Sequence, residues 1–383
     1  MWLPSIFAVG RSASGRTRHP RAPAKPRRSL RLNLEQLEDR TLLSSYSAAS
    51  VSDLIADINA ANAAGGSNTI MLTAPTSNPY VLSGVDNTTD GPNGLPVIAN
   101  KDILTIVGNG DTIDAFHVGG RLLDVASGAS LTMENVTLEN GSLFGSGVSA
   151  EGGAIYNLGT LILSAVTVQG CVAEGTDGVV KLFNDRIKAT PGNAAAGGGI
   201  WSNGSLTLEN GTVLQNNQAI GGIGGNGPGG VGGDASGGGL YVAGGTAYVS
   251  GVSINNNITR GGFGGTWFSN QPPIGGLVEN ANGIAYGGGL YVCGGKVNLS
   301  GDTVNGNLAG FNDLSRGFGR GVGGGMILAA GTVTLCNDTV ENNFVYDTLI
   351  PGIGIANQAK VYIDAFTVAH VDSINGEYIL QNC

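Results

Sequence analysis

The chain has 383 residues, of which 67 are Gly, 41 % are apolar and only 12 % are charged. This apolar content is sufficient for a large core, so the composition excludes a wholly disordered protein. The Gly residues follow no G-X-Y period and Pro numbers only 13, which excludes collagen. No apolar run is long enough to span a membrane as a helix, and four Cys are too few for a disulfide scaffold.

Positive charge is concentrated at the beginning of the chain. Residues 1–40 contain nine of the 19 basic residues and only three of the 28 acidic ones, which leaves a net charge of −15 on the remainder. A basic segment before an acidic, Gly-rich body is typical of targeting sequences. A nucleic-acid-binding arm is the alternative, but an acidic body repels phosphate, so we expect no nucleic acid partner.

A more specific motif ends this basic segment, where residues 32–44 read LNLEQLEDRTLLS. It resembles the L-E-x-L-E-D-R-x-L-L-S segment that opens many large exported proteins of planctomycete-type bacteria. The resemblance implies a secreted or cell-surface location, with residues 1–45 disordered or removed. A short amphipathic helix is the alternative interpretation, because Leu34, Leu37 and Glu38 have helical spacing.

Residues 46–100 are predicted to cap the body that follows. Apolar residues recur at helical intervals over 51–61, which predicts a capping helix that ends at Gly65 and Gly66. Residues 68–72 and 80–82 then begin a first irregular turn. A cap is needed because the open end of a repeat protein exposes its core and an unpaired strand edge.

The body from residue 101 onward repeats one short pattern. The pattern is apolar-x-apolar, a few turn residues, then Thr or Ser and an apolar residue, which predicts two very short strands joined at a corner. A looser copy occupies 104–113. The full copies begin at residues 130, 160, 205, 246, 296, 332 and 360.

Two further landmarks accompany this pattern. A Gly-Gly pair with a short apolar run precedes it, and Asn follows it three residues after the last apolar position. The Gly pairs begin at 152, 198, 238, 288 and 324, and the Asn residues are Asn216, Asn257, Asn307 and Asn343. Each unit is therefore three short strands separated by three corners.

Strands this short close no core by themselves, but stacked units do, as a parallel solenoid. Residues 101–383 are accordingly predicted to form an all-β fold, a right-handed single-stranded parallel β-helix, with the Asn stacked as an internal ladder. A β-propeller is the competing fold, but its blades need four longer strands.

At this point the body resembles the pectin-lyase-like β-helix proteins, and more narrowly bacterial surface proteins akin to polymorphic outer-membrane proteins. Residues 152–155, Gly-Gly-Ala-Ile, match the repeat motif of the latter, whereas their F-x-x-N motif is absent. The resemblance implies an exported structural or adhesin-like protein. It also implies polysaccharide cleavage as the alternative activity, as a lyase or glycoside hydrolase.

Four segments interrupt the repeats at the same corner, and we name them the first to fourth inserted loops: 172–196, 218–236, 258–286 and 308–322. Because they leave one corner, they are expected to stack along one side of the solenoid. Aromatic and Arg side chains on rigidly supported loops suggest a contact face for a partner or a glycan. The candidate ligand-binding residues are Trp267, Phe268, Arg316 and Arg320. The alternative is that these side chains only pin the loops to the coil.

For an enzyme, the catalytic candidates are Asp302 and Asp338. They share one repeat position, which places them one coil apart and near the carboxylate separation of retaining glycosidases. An exposed corner turn is the favoured alternative. A turn is also favoured for a second polar cluster, which consists of Asp111, Asp114, His117 and Arg121.

Metal and thiol sites have weaker signals. Residues 229–234, GGVGGD, satisfy part of the Ca²⁺-binding β-roll repeat, although no tandem copy follows, so Ca²⁺ is the one cofactor that the sequence suggests. Cys171 takes a ladder position that suits a small buried side chain. A bridge between Cys293 and Cys336 is not expected, because they fall on different faces, and the pairing of Cys383 is open.

Overall fold

The structure is a computed structural model that describes residues 44–116, 118–183, 186–269, 276–313, 317–346, 353–363, 367–369, 371–374 and 377–380. The chain divides into a unit of residues 1–40 and a unit of residues 41–383, and every described residue belongs to the second unit. The described residues of that unit form the predicted all-β parallel β-helix, with one helix at its N-terminal end.

The helix spans Val51–Ala64, as the apolar spacing predicted. Ser50 caps its N-terminus by accepting a hydrogen bond from the backbone N–H of Asp53. Gly65, with φ 61°, ends it. The buried side chains Leu54, Ile58 and Ala61 lie on one face and pack into the core of the solenoid.

Most strands belong to one continuous sheet of 24 strands, paired in parallel from coil to coil. Its strands are Ser44–Ala48, Gly66–Leu72, Tyr80–Val81, Asp102–Asp114, Leu123–Val125, Ser130–Glu139, Ile155–Asn157, Thr160–Ser164, Thr167–Gln169, Ile200–Ser202, Ser205–Glu209, Val213–Gln215, Leu240–Val242, Thr246–Ser250, Ser253–Asn255, Leu290–Val292, Lys296–Ser300, Thr303–Asn305, Met326–Cys336, Thr339–Glu341, Ile353–Ile363, Val368–Ala369, Val371–Ile374 and Glu377–Leu380.

The register of this sheet matches the repeat found in the sequence. Residues 130, 160, 205, 246, 296, 332 and 360, which begin the seven copies, are Cα partners from one coil to the next. Alternate residues of each copy point inward and are buried, as Leu206 and Leu208 are. A shift by one residue would expose this apolar set, so burial fixes the register.

One copy contains an extra residue at a corner, and this displaces the ladder position from where the sequence pattern placed it. The corner after Glu209 contains Asn210 and Gly211, both with positive φ, whereas the copies that begin at 130, 160, 246, 296 and 332 have one such residue at this corner. The ladder residue in that coil is therefore Asn217, and the prediction of Asn216 was wrong. Asn216 instead turns the corner with φ 55°.

The ladder is formed by Asn217, Asn257, Asn307 and Asn343, which are all buried. Each Oδ1 accepts the backbone N–H of the equivalent residue one coil earlier at 2.9 to 3.0 Å, and each Nδ2 donates to a carbonyl of that coil. Cys171 begins the column as a buried residue, as predicted, and its N–H donates to Asn217.

Cys171 and Cys293 are free cysteines, so Cys293 is not bridged to Cys336, and Cys383 lies outside the described residues.

The inserted loops leave and rejoin the coil through two smaller parallel sheets. A six-stranded sheet contains Ser142–Phe144, Val172–Glu174, Gln218–Ile220, Ile258–Arg260, Leu308–Ala309 and Phe344–Val345. A five-stranded sheet contains Ala150–Glu151, Ala195–Ala196, Ala235–Ser236, Ala285–Tyr286 and Gly321–Val322. The loops therefore stack along one side of the solenoid, as predicted. Among the described residues, no helix is both long and apolar enough to cross a membrane.

Candidate functional site

The first three inserted loops pack against one another mainly through their backbones. Gly222 donates its N–H to Asn193 of the first loop at 2.9 Å, and Gly262 of the third loop donates to Gly233 of the second at 2.8 Å. A methyl group built on Gly262 would clash with the carbonyl oxygen of Gly222. Close backbone packing thus requires the high Gly content of these segments. We call the packed backbones of the first three inserted loops the wall.

Beyond this wall, the first and third inserted loops end in antiparallel hairpins. The first hairpin pairs Val180–Phe183 with Arg186–Ala189 in the first loop. The second hairpin pairs Thr266–Ser269 with Gly276–Glu279 in the third loop. The fourth loop has a shorter hairpin, formed by Phe311–Asp313 and Gly317–Gly319. Every inserted loop except the second therefore carries a hairpin.

A groove of about 530 Å³ crosses the first three loops. Its polar side chains are the carboxylates of Asp177 and Glu279, the hydroxyl of Thr266 and the amides of Asn226 and Asn282. Backbone bonds fix several of them, since Asp177 Oδ1 accepts the N–H of Ile223 at 2.7 Å. The apolar side chains lining the groove are Val180, Ile223 and Phe263. No Lys or Arg lies among its lining residues, all of which the structure describes.

Of the predicted ligand-binding residues, the three that the structure describes, Trp267, Phe268 and Arg320, do not line this groove. Trp267 and Phe268 lie on the second hairpin, opposite Val278 and Leu277, and Phe268 is 75 % exposed. Arg320 is exposed in the fourth loop. Burial raises the pKa of Tyr286, and the positive charge of Arg320 opposes this rise. Arg316 lies outside the described residues.

Asp302 and Asp338 do occupy the same position in adjacent coils, but they are buried, so the expectation of an exposed corner was wrong. Asp302 accepts the backbone N–H groups of Val252 at 2.8 Å and Ser300 at 2.9 Å. Asp338 likewise accepts the N–H of Asp302 at 2.8 Å and of Cys336 at 2.9 Å. Burial raises the pKa of Asp302 to about 6, although these two donors act to lower it. The pair is a second internal ladder, and a substrate has no access to it.

The residues of the second predicted cluster do not form one turn, and the favoured expectation of a turn was wrong for Asp111 and Asp114, which lie in the strand Asp102–Asp114. Asp111 is buried and accepts the N–H of Asn109 at 2.9 Å, while Asp114 accepts the N–H of Phe116 at 2.9 Å. His117 lies outside the described residues. Arg121 is buried elsewhere and donates to the Asp90 carbonyl at 2.9 Å.

Arg121 instead belongs to a buried cluster that the sequence did not predict. Its guanidinium donates to the Glu151 carbonyl at 3.0 Å and lies 4.8 Å above the ring of Tyr156. Asp124 is fully buried beside it, with Oδ1 lacking a hydrogen-bond partner. Burial raises the pKa of Asp124 to about 6, because desolvation outweighs the attraction of Arg121. The cluster is closed to solvent at its centre.

Tyr156 also begins a column of stacked rings that continues through Trp201, Tyr241 and Tyr291. Their planes are within 5 to 11° of parallel and their centroids 4.6 to 6.5 Å apart. The ring faces are therefore occupied by one another, which leaves only edges for a ligand. The signal in the sequence is an aromatic residue two positions after the Gly-Gly pairs that begin at 198, 238 and 288, and three positions after the pair that begins at 152.

The partial Ca²⁺ motif has a structural role in the wall. Asp234 Oδ1 accepts the N–H of Ile284 in the next loop at 2.7 Å. Among the described residues, no group of three or more His, Cys, Asp or Glu side chains is placed to hold a metal ion.

No family model matches the chain, and no curated protein does. Among solved structures, the catalytic domain of a GH87 alpha-1,3-glucanase in complex with tetrasaccharides is similar at 13 % identity and a TM-score of 0.18. The alignment covers 83 % of this chain and 58 % of that one. The assignment of the fold rests on the strand pairing described above.

Proposed function

We propose that this chain is an exported surface protein that attaches to a partner or glycan through its inserted loops and catalyses no reaction. The observation that supports this most is the groove of about 530 Å³ built from three consecutive loops. Stacking of the coils accounts for the ladders, but it does not require two extended hairpins or a polar groove. Such features on a rigid scaffold are typical of contact surfaces.

The test compares the full chain with a variant in which residues 266–279 are replaced by a short Gly-Ser link. This replacement keeps Gly262, Gly264 and Gly283, which pack in the wall. We expect the wild type to bind to intact bacterial cells or to a glycan array, and the variant to lose binding while its thermal unfolding is unchanged. Equal binding by both chains would refute the proposal.

A carbohydrate-active enzyme is the second candidate, because Asp177 and Glu279 line the same groove. Two carboxylates flanking one glycosidic bond are the usual catalytic pair of glycoside hydrolases. Release of reducing sugar from acidic and neutral polysaccharides, with and without Ca²⁺, tests this. Cleavage that is lost in Asp177→Asn and Glu279→Gln would establish this candidate instead of the first.

Export is proposed from the basic segment and its LEDRTLLS motif. Deletion of residues 1–43 should abolish export from the native host and leave the circular dichroism spectrum and thermal unfolding of the body unchanged. A deleted chain that is still exported, or that no longer folds, would contradict this role.

A further inference from the structure

The second inserted loop is shorter than its neighbours, and this leaves a slot between the first and second hairpins. None of its residues 221–233, all of which the structure describes, is in a strand. Its tip holds both hairpins at their bases: Asn226 accepts the Thr266 N–H at 3.0 Å, and the Pro228 carbonyl accepts the Ala189 N–H at 3.1 Å. The hairpins are two coils apart, which corresponds to about 10 Å.

The face of the first hairpin that lines this slot is apolar. Cross-strand partners share a face, so Val180, Leu182, Ile187 and Ala189 lie on one side of the ribbon. A methyl group on Gly227, at the tip of the second loop, would lie 3.2 Å from both Ile187 Cγ2 and the Ala189 Cβ, so this side faces the slot. Leu182 is nevertheless 74 % exposed.

The second hairpin presents a complementary face from the opposite side. Thr266 and Glu279 line the groove together with Val180 of the first hairpin. By alternation along the strands, Phe268 and Leu277 share the face of Thr266 and Glu279. Exposed apolar side chains thus line both sides of the slot, which opens from the groove.

The charge of the slot is negative. Asp177 and Glu279 lie at its base, and the groove is lined by no basic side chain among its described residues. The two Lys residues of the first hairpin, Lys181 and Lys188, are cross-strand partners on its other face. Apolar walls above a pair of carboxylates are complementary to a chain that carries both aliphatic and cationic side chains.

We propose that this slot binds an extended peptide segment of a partner protein in which apolar and basic residues alternate. The proposal rests on attachment through the inserted loops and names the class of partner. Apolar side chains of the segment insert between Leu182 and Phe268, and its Lys or Arg residues pair with Asp177 and Glu279. A peptide fits these walls better than a glycan, because sugars stack on aromatic faces and most of the wall is aliphatic.

The test measures binding of a fluorescent octapeptide that alternates Leu and Lys to the full chain by anisotropy. Two further octapeptides replace every Lys by Glu, or every Leu by Ser. We expect both replacements to weaken binding at least about tenfold. The double variant Leu182→Ser with Phe268→Ser should do the same. Its control is the double variant Phe144→Ser with Phe344→Ser, which removes two exposed rings, 56 % and 62 % accessible, from the six-stranded sheet.

A second experiment tests the charges of the slot. It compares the double variant Asp177→Asn and Glu279→Gln with a control double variant, Glu134→Gln and Glu341→Gln. The control changes the net charge equally, at exposed sites outside the groove. Only the first pair should weaken binding, and the difference should shrink as salt increases. Equal losses in test and control variants would overturn the proposal. It would also be overturned if cello-oligosaccharides bound in a manner that required Leu182 and Phe268 while the peptide did not bind. If the slot variants bind normally but replacement of residues 266–279 abolishes attachment, this proposal fails and the proposed function stands.

Discussion

Asn257 and Asn307 are joined twice across adjacent coils, because Asn307 Oδ1 accepts both the backbone N–H of Asn257 at 2.9 Å and its Nδ2 at 3.0 Å. Asn257 also donates Nδ2 to the Leu214 carbonyl at 2.9 Å. A buried amide that is fully bonded in this way satisfies backbone groups that the corner leaves without strand partners.

Asn257→Leu should therefore destabilise the solenoid by about 1–3 kcal/mol, since it leaves the Asn217 N–H and the Leu214 carbonyl unpaired in the core. Denaturant unfolding measures this loss. Asn298→Leu is the matched control, because Asn298 points outward from a neighbouring strand and is only half-buried. Equal stability of the Asn257 variant and wild type would show that the ladder is not stabilising.

Asp302→Val should destabilise the fold by about 1–3 kcal/mol without affecting any binding or cleavage activity. Val252 occupies the same place one coil earlier, so a Val side chain fits there and the loss reports the two hydrogen bonds to Val252 and Ser300. Thermal unfolding and the binding assay check the two parts separately. Loss of a polysaccharide-cleaving activity in this variant would restore the catalytic interpretation of the residue.

Gly262→Ala should loosen the wall, because the new methyl group meets the Gly222 carbonyl and neither backbone can withdraw without breaking hydrogen bonds. Overpacking of this kind costs about 1–3 kcal/mol. Hydrogen exchange should accelerate in the second and third inserted loops and stay unchanged in the main sheet. Gly84→Ala is the control, since nothing lies within 4 Å of a methyl group at that position.

The raised pKa of Asp124, about 6, predicts that stability falls as the pH rises from 4 to 6. The sign follows because a carboxyl whose pKa is higher in the folded than in the unfolded state binds its proton more tightly when folded. The loss of folding stability caused by Asp124 reaches about 2–3 kcal/mol at pH 7. Asp302 has a similar pKa and also lowers the stability as the pH rises.

Asp124→Asn tests this, because an amide keeps the shape of the side chain and does not ionise. Thermal unfolding of the variant should depend less on pH between 4 and 6 than that of wild type. Glu341→Gln, at an exposed position, should leave the pH dependence unchanged. A variant with the full wild-type pH dependence would show that Asp124 is not the group responsible.

The sequence by itself determined the solenoid, its register and its capping helix. The inward alternation of residues such as Leu206 and Leu208, repeated at fixed corners, has one solution in which every coil buries its apolar side chains. The column of Asn257 and Asn307 was visible for the same reason, since each coil must satisfy its corner in the same way. The sequence showed that Trp267 and Phe268 lie in a loop, but it did not show on which face of the hairpin each side chain lies.

Only the tertiary structure decided which residues of adjacent coils and loops contact one another. The extra residue at Asn210 and Gly211 moved the ladder from Asn216 to Asn217, because a corner tolerates an insertion that leaves the stacked strands in register. Burial of Asp302 and the convergence of Asp177 with Glu279 depend on residues about 50 or more positions apart. The glycine wall was hidden for a related reason: its packing is between backbones, so no side-chain pattern along the sequence records which loop lies against which.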